Sequence, residues 1–165
     1  MNTATVTLDS PVGALTLVAS DDALCLLSWD GDRSASVDAL VAGSARRPDH
    51  RLLAQTAEEL DEYFAGSRRE FEVAVHAPGT AFQQAAWRAL CTIPYGETIS
   101  YGEQARRVGN PRAVRAVGGA NGRNPVGIIV PCHRVIGANG SLTGFGGGME
   151  AKAWLLEHER RIAAH

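Results

Sequence analysis

The first thirty residues alternate between apolar and polar positions in three short runs, TATVTLDS, GALTLVAS and ALCLLSWD, separated by the turn signals Ser-Pro-Val-Gly and Asp-Asp. Alternation of this kind, with β-branched residues, predicts strands, and the segment reads as a small antiparallel sheet. Asp30 to Arg47 is small and polar, a variable loop or a short helix. The period then lengthens. In HRLLAQTAEELDEYFAG the residues Leu52, Leu53, Ala57, Leu60, Tyr63 and Phe64 share one helical face, and Gly66 marks its end. EFEVAVH alternates again as a further strand, and APGT leads into the second half.

There the pattern becomes mainly helical. Thr80 is a good N-cap for AFQQAAWRALCTI, with Phe82, Ala86, Trp87 and Leu90 as its core face and Pro94 as its stop. Ser100 and Glu103 form a capping box for YGEQARRV, which Gly109 ends. Asn110 then caps PRAVRAVGGA, with Pro111 at the first helical position, so the pair reads as a helix-turn-helix. The apolar run of GIIVPCHRVIG predicts a buried strand running into Cys132, and MEAKAWLLEHERRIAAH predicts a final helix with Ala153, Trp154, Leu156 and Ile162 for packing. The fold class is therefore α+β. A supporting α/β domain over residues 1–78 precedes a helix-turn-helix domain over 79–165 that carries Cys132.

Composition narrows the function classes. With 45% hydrophobic and 21% charged residues over 165 positions, a globular protein is expected and wholesale disorder is excluded. The N-terminus has neither a basic region nor an apolar core of a signal peptide, and no apolar run approaches membrane-spanning length, so a cytoplasmic protein with no membrane partner is expected. Cys25, Cys91 and Cys132 form no C-x-x-C pair, and Cys25, His50 and His76 lack ligand spacing; no disulfide framework and no metal site is expected, with Cys25 and Cys91 as core thiols. Residues 1–78 hold 6 Arg against 13 Asp and Glu, whereas 79–165 hold 10 Arg and Lys against 5 Glu. Between 104 and 149 stand six arginines (Arg106, Arg107, Arg112, Arg115, Arg123 and Arg134) and no acid, the footprint of a surface that meets a polyanion.

The second helix of the pair contains Gly118 and Gly119, which cost roughly 2 kcal/mol of helix propensity against alanines. Either close packing against another helix compensates, or the small residues let the backbone approach a duplex with Arg115 projecting from it. A cysteine reacts as its thiolate and needs a base or cation nearby. His133 adjoins Cys132, although on an extended chain the two side chains would point to opposite sides, and a bridging water is then needed. Glu157 and Glu159 of the last helix can orient the imidazole.

Taken together, IPYGETISYGEQARRVGNPRAVRAVGGANGRN, NPVGIIVPCHRVIGANGSLTGFGGG and KAWLLEHE resemble the O6-alkylguanine-DNA alkyltransferases, motif by motif over about residues 80–160. The resemblance implies that Cys132 takes an alkyl group from O6 of guanine, and from O4-alkylthymine, in double-stranded DNA and keeps it as a thioether, each molecule acting once and without a cofactor. It implies His133 as the base acting through water, Glu159 as its orienting carboxylate, Asn124 as the holder of the turn before the active-site strand, and Tyr101 as a donor to the lesion that helps turn the nucleotide outward. Arg115 fills the gap in the duplex, with Ser100, Ala116, Gly118, Gly119 and Arg134 at the DNA. The carbonyls of Cys132 and Val135 would accept from the guanine amine, while Phe145, Gly146 and Gly147 close over the base. Phe145 stands where many relatives have tyrosine and Gly146 where some have serine, which bears on the range of alkyl groups. The protein is expected to be a monomer, with several copies able to assemble along DNA.

Other readings compete. A non-catalytic lesion-binding relative would carry another residue at Cys132; a sequence-specific transcription factor would present larger side chains than Ala116, Gly118 and Gly119 to base edges; and a cysteine hydrolase would need an oxyanion hole.

Overall fold

A computed structural model of the chain describes residues 2–30, 34–142, 145 and 147–165, and two compact units, Met1–Ala77 and Pro78–His165, emerge. In the first, β1 (Ala4–Leu8), β2 (Leu15–Ala19) and β3 (Leu24–Trp29) pair antiparallel as the alternation predicts. The sheet is nevertheless mixed, because β4 (Ala45–Arg46) adds to β1 in parallel and gives the order β3-β2-β1-β4. A parallel neighbour needs a crossover, which α1 (Ala35–Ala42) supplies from the stretch read as loop or short helix.

The helix α2 (Arg51–Ala65) packs on β1, β2 and β3, burying Leu52, Leu53, Leu60 and Tyr63 together with Thr56 and Glu59. His50 Nδ1 accepts from the Leu52 amide at its start, and Gly66 closes it with φ +86°, a left-handed turn that glycine adopts without steric cost. The strand expected in EFEVAVH does not form; only Val75 bridges to Leu24. The cause is Glu59, whose Oε1 accepts from the amides of Glu72 (2.9 Å) and Val73 (3.2 Å) and so withdraws them from any ladder.

In the second unit α3 (Ala81–Leu90) opens with a complete capping box, Thr80 with Gln83. It packs against α4 (Tyr101–Val108) and α5 (Val114–Gly122), which form the helix-turn-helix, while β5 (Ile99–Ser100) and β6 (Val135–Ile136) pair in parallel and α6 (Met149–Ala163) closes the chain. Two buried amides lock the three helices: Gln104 and Asn121 exchange 2.8 Å hydrogen bonds, and Gln104 Nε2 also donates to the Ala86 carbonyl. Trp87 Nε1 donates to the Ala120 carbonyl at 2.9 Å.

Several local expectations are corrected. The capping box at Ser100 is half made, since its Oγ accepts from the Glu103 amide while the Glu103 carboxylate pairs with Arg106 and Arg107. Asn110 does not cap α5: its Oδ1 accepts from the Arg112 amide in a turn over Pro111, and the helix starts at Val114. The buried face of α6 is Ala151, Lys152, Leu155, His158 and Glu159, with Ala153 exposed. Cys25 is buried, but Cys91 is exposed at the end of α3. Most consequential, GIIV is no strand. It coils through turns closed by the Ile129 amide on the Gly127 carbonyl and the Val130 amide on the Val126 carbonyl, and Cys132–Arg134 form one turn of 3-10 helix.

Candidate active site

Asn124 shapes the approach to Cys132. Leaving α5, its Oδ1 accepts from the Val126 amide (3.0 Å) and its Nδ2 donates to the Val130 carbonyl (2.9 Å), so a single side chain clamps both ends of the coil. Inside the clamp Ile128 has φ +68°, a conformation sterically costly for a β-branched residue and held by complete burial. The coil delivers Cys132 into the unit with 9% of its surface exposed. Burial pushes its thiol above the ordinary value, against the pull of a hydrogen bond from Asn124 and the charge of Lys152.

Because Cys132 and His133 lie on a 3-10 turn, the expectation that their side chains leave an extended strand on opposite sides no longer holds. His133 is fully buried, and its Nε2 lies 2.8 Å from Glu159 Oε2. Its Nδ1 has no hydrogen-bond partner among the described residues, an orphan that a buried imidazole does not ordinarily tolerate. Burial pushes the ring below its ordinary proton affinity, the Glu159 carboxylate opposes this, and Arg134 and Lys152 reinforce it. Burial alone would raise the Glu159 carboxyl; hydrogen bonds from His133 and Arg134 outweigh it and hold Glu159 ionised.

Arg134, expected at the DNA, is instead buried. Its Nε and Nη2 donate to the two oxygens of Glu159 (2.8 and 3.0 Å) and its Nη1 to the Ile93 carbonyl (2.8 Å), because the only arrangement that keeps a guanidinium out of water is one that satisfies its fork. The basic stretch is thinner than its count of arginines implies. Arg106 and Arg107 pair with Glu103, which leaves Arg112, Arg115 and Arg123 as the exposed cations without an acidic partner among the described residues.

Arg115, Ala116 and Gly119 are exposed and Gly118 is half-buried, with the Tyr101 ring carbons 3.9–4.0 Å from where its Cβ would stand. A Cβ on Gly119 would meet nothing within 4 Å, so packing against another helix does not account for Gly119. Tyr101 begins α4, half-buried, with its hydroxyl pushed above the ordinary value by burial and then by Cys132. Ser100 spends its acceptor on capping that helix. The carbonyl of Cys132 already accepts from the Val135 amide and that of Val135 from Lys152 Nζ at 2.6 Å, so a guanine amine would have to use the second lone pair of each. Phe145 and Gly147 are half-buried, and the Phe145 carbonyl accepts from the Gly148 amide; Gly146 lies outside the described residues.

Lys152 escaped the sequence reading. It is 1% exposed, reaches the Val135 carbonyl, and stands 6.0 Å from the centre of the Tyr101 ring. The signal was available: Lys152 and Glu159 are seven residues apart, one helical face, with Leu155 between them. Gln104 and Asn121 were missed too, as isolated polar residues in helical patterns. Among the described residues no group of His, Cys, Asp and Glu could hold a metal ion, and no helix is long and apolar enough to cross a membrane.

Comparison with known proteins places this geometry in a family. Residues 81–161 match the 6-O-methylguanine DNA methyltransferase DNA-binding domain and residues 5–77 its ribonuclease-like domain. A methylated-DNA–protein-cysteine methyltransferase of Mycolicibacterium paratuberculosis is 50% identical over 155 residues, covering 94% of this chain and 91% of that protein. The crystal structure of the Mycobacterium tuberculosis O6-methylguanine methyltransferase superposes with a TM-score of 0.87 at 47% identity, over 96% of this chain and 93% of that one. A complex of the M. tuberculosis protein with DNA gives 0.86 at 46% identity, over 98% and 94%. With a buried Pro-Cys-His-Arg-Val turn, a helix-turn-helix and both domains matched, the chain belongs to the 6-O-methylguanine DNA methyltransferase family.

Proposed function

We propose that the protein repairs alkylated duplex DNA directly, moving the alkyl group from O6 of guanine, or O4 of thymine, to Cys132, once per molecule. The observation that carries this reading is a buried thiol on the same turn as an imidazole whose Nε2 is held by Glu159 and whose Nδ1 is unpaired among the described residues. The resting pair is a neutral thiol and a neutral ring, since burial disfavours the charged form of each. His133 takes the thiol proton through a bridging water, sulfur attacks the alkyl carbon, the carbon–oxygen bond breaks, and the departing guanine takes up a proton to leave as the normal base. One proton leaves the thiol and one reaches the base, and the carbon–oxygen electron pair stays on guanine, so the transfer calls for no redox cofactor. The product thioether does not hydrolyse, so the protein is consumed.

Access to O6 requires the nucleotide to leave the stack, at a cost of a few kcal/mol that a poorly paired lesion reduces. The face of exposed Ala116 and Gly119 with half-buried Gly118 lets α5 lie close to the duplex, Arg115 fills the gap, and Arg112 and Arg123 contribute phosphate contacts. Tyr101 and the main-chain amides of Phe145 and Gly147 are the donors to the departing base. The first unit supports the second, the protein works as a cytoplasmic monomer with no membrane partner, and several copies can assemble along DNA.

Incubation with a stoichiometric duplex bearing O6-methylguanine should add about 14 Da at Cys132, the mass of a methyl replacing the thiol proton. No such adduct, with DNA binding intact, would leave the non-catalytic lesion-binding reading standing instead. Arg115→Ala should slow transfer from duplex far more than from a free O6-alkylguanine.

A further inference from the structure

Arg134 stands next to His133 in sequence, yet nothing in the transfer step above uses it. Its guanidinium is fixed at three points: both Glu159 oxygens and the Ile93 carbonyl beyond α3. Its central carbon also sits 5.6 Å from the centre of the Tyr95 ring. Glu159 Oε2 is thereby shared between Arg134 Nη2 at 3.0 Å and His133 Nε2 at 2.8 Å, while Oε1 belongs to Arg134 Nε. A planar fork on a carboxylate sets the plane of that carboxylate, and through Oε2 it sets the direction of the imidazole.

We infer that Arg134 is a positioning residue for alkyl transfer: it fixes the Glu159 carboxylate against His133 and takes up part of its charge, so that the ring is aimed and stays a neutral acceptor for the thiol proton. The inference rests on the transfer to Cys132 proposed above. A buried carboxylate with imidazole as its sole partner would draw a proton onto the ring and pre-empt the base. The charges around His133 are consistent with the opposite outcome. Glu159 and Lys152 face it from α6, Cys132 and Arg134 from its own turn, and Cys91 stands at the end of α3. Two cations thus offset one anion.

The test is the pH dependence of transfer from a free O6-alkylguanine, which involves no DNA contact, in wild type, Arg134→Met and Arg134→Lys. In Arg134→Met the acid limb should move up by about one pH unit or more, because Glu159 then acts on His133 undivided. Arg134→Lys keeps the charge and should bring the limb back toward its wild-type position with a lower plateau. Equal slowing at every pH with no displacement of the limb would overturn the inference, as would a loss confined to duplex substrate and abolished by salt. Should Arg134→Met fail to fold by near-ultraviolet circular dichroism, nitrogen chemical shifts of the wild-type His133 ring decide. A neutral ring at pH 7 with the proton on Nε2 is expected, and an imidazolium overturns the inference. A wild-type protein that transfers nothing sinks the proposed function, while the ring titration still judges Arg134.

Discussion

Glu59 in the first unit and Glu159 in the second are both helical glutamates removed from water, at 3% and 1% exposure. A buried carboxylate must be satisfied by donors, and the two find donors of different kinds. Glu59 takes the amides of Glu72 and Val73 and the Gln55 side chain, none of which changes protonation. Its job ends with holding the chain after α2 in place. Glu159 takes an imidazole and a guanidinium, and the imidazole is on the same turn as the thiol. The same residue type, equally buried, is architecture in one unit and chemistry in the other, and the partners make the difference.

Paired substitutions break this comparison most sharply. Glu159→Gln should lower single-turnover transfer by up to about 10²–10⁴-fold, the ordinary contribution of general base catalysis, because His133 loses the carboxylate that holds it as base, and cost about 3–5 kcal/mol of stability because the Arg134 charge is left uncompensated. Glu59→Ala should cost about 2–4 kcal/mol as buried donors lose their acceptor, yet leave the rate per folded molecule within about twofold. Mass spectrometry at Cys132 and urea unfolding measure both quantities. Comparable rate losses in the two variants would remove the distinction.

The legible parts of the molecule are those whose neighbours in sequence are also their partners. The face of α2 and its Gly66 stop, the Thr80 cap and the Gly109 end of α4 all rest on contacts within a few residues, and all could be read. What failed depends on distant groups. The strand expected in EFEVAVH was lost to Glu59, 13 and 14 residues away. No acid stands near Arg134 in sequence to set it apart from the DNA-facing arginines; its acid is 25 residues on, in α6. The apolar GIIV run satisfied a strand pattern equally well as a coil, and only the Asn124 clamp and the left-handed Ile128 decide between them. Polar residues on apolar faces, Lys152 and Glu159 above all, carried the most functional information and the least periodicity.

Acidification sharpens the comparison through linkage. Glu159 is depressed below its ordinary value, so its contribution is complete above the unfolded carboxylate value of 4.5 and is lost as pH falls toward the folded one. His133 is depressed below 6.5, so the unfolded chain binds a proton the folded protein refuses, and this too lowers stability as pH drops through 6.5. Both act in one direction. Wild-type stability should fall from pH 7 toward pH 4 with a slope of up to about 1.4 kcal/mol per pH unit for each proton taken up. Glu159→Gln should flatten the part below about pH 4.5. A Glu159→Gln curve parallel to wild type would contradict the assignment of acid sensitivity to the second unit.

The smallest expected effect separates chemistry from delivery. Gly119 sits inside α5 with open space where a side chain would begin, so Gly119→Ala should stabilise the protein by about 0.5–1 kcal/mol through helix propensity alone. The added methyl projects from the exposed face assigned to the duplex, and should slow transfer from O6-methylguanine in DNA by a few-fold while leaving transfer from the free alkylguanine unchanged. Glu159→Gln, in contrast, should impair both substrates alike, because it acts where the bond is made. Thermal melting and the two transfer rates read this out on one protein preparation. If Gly119→Ala raises stability and transfers from duplex at the wild-type rate, the glycine is not there for the DNA, and the cost it imposes on α5 needs another explanation.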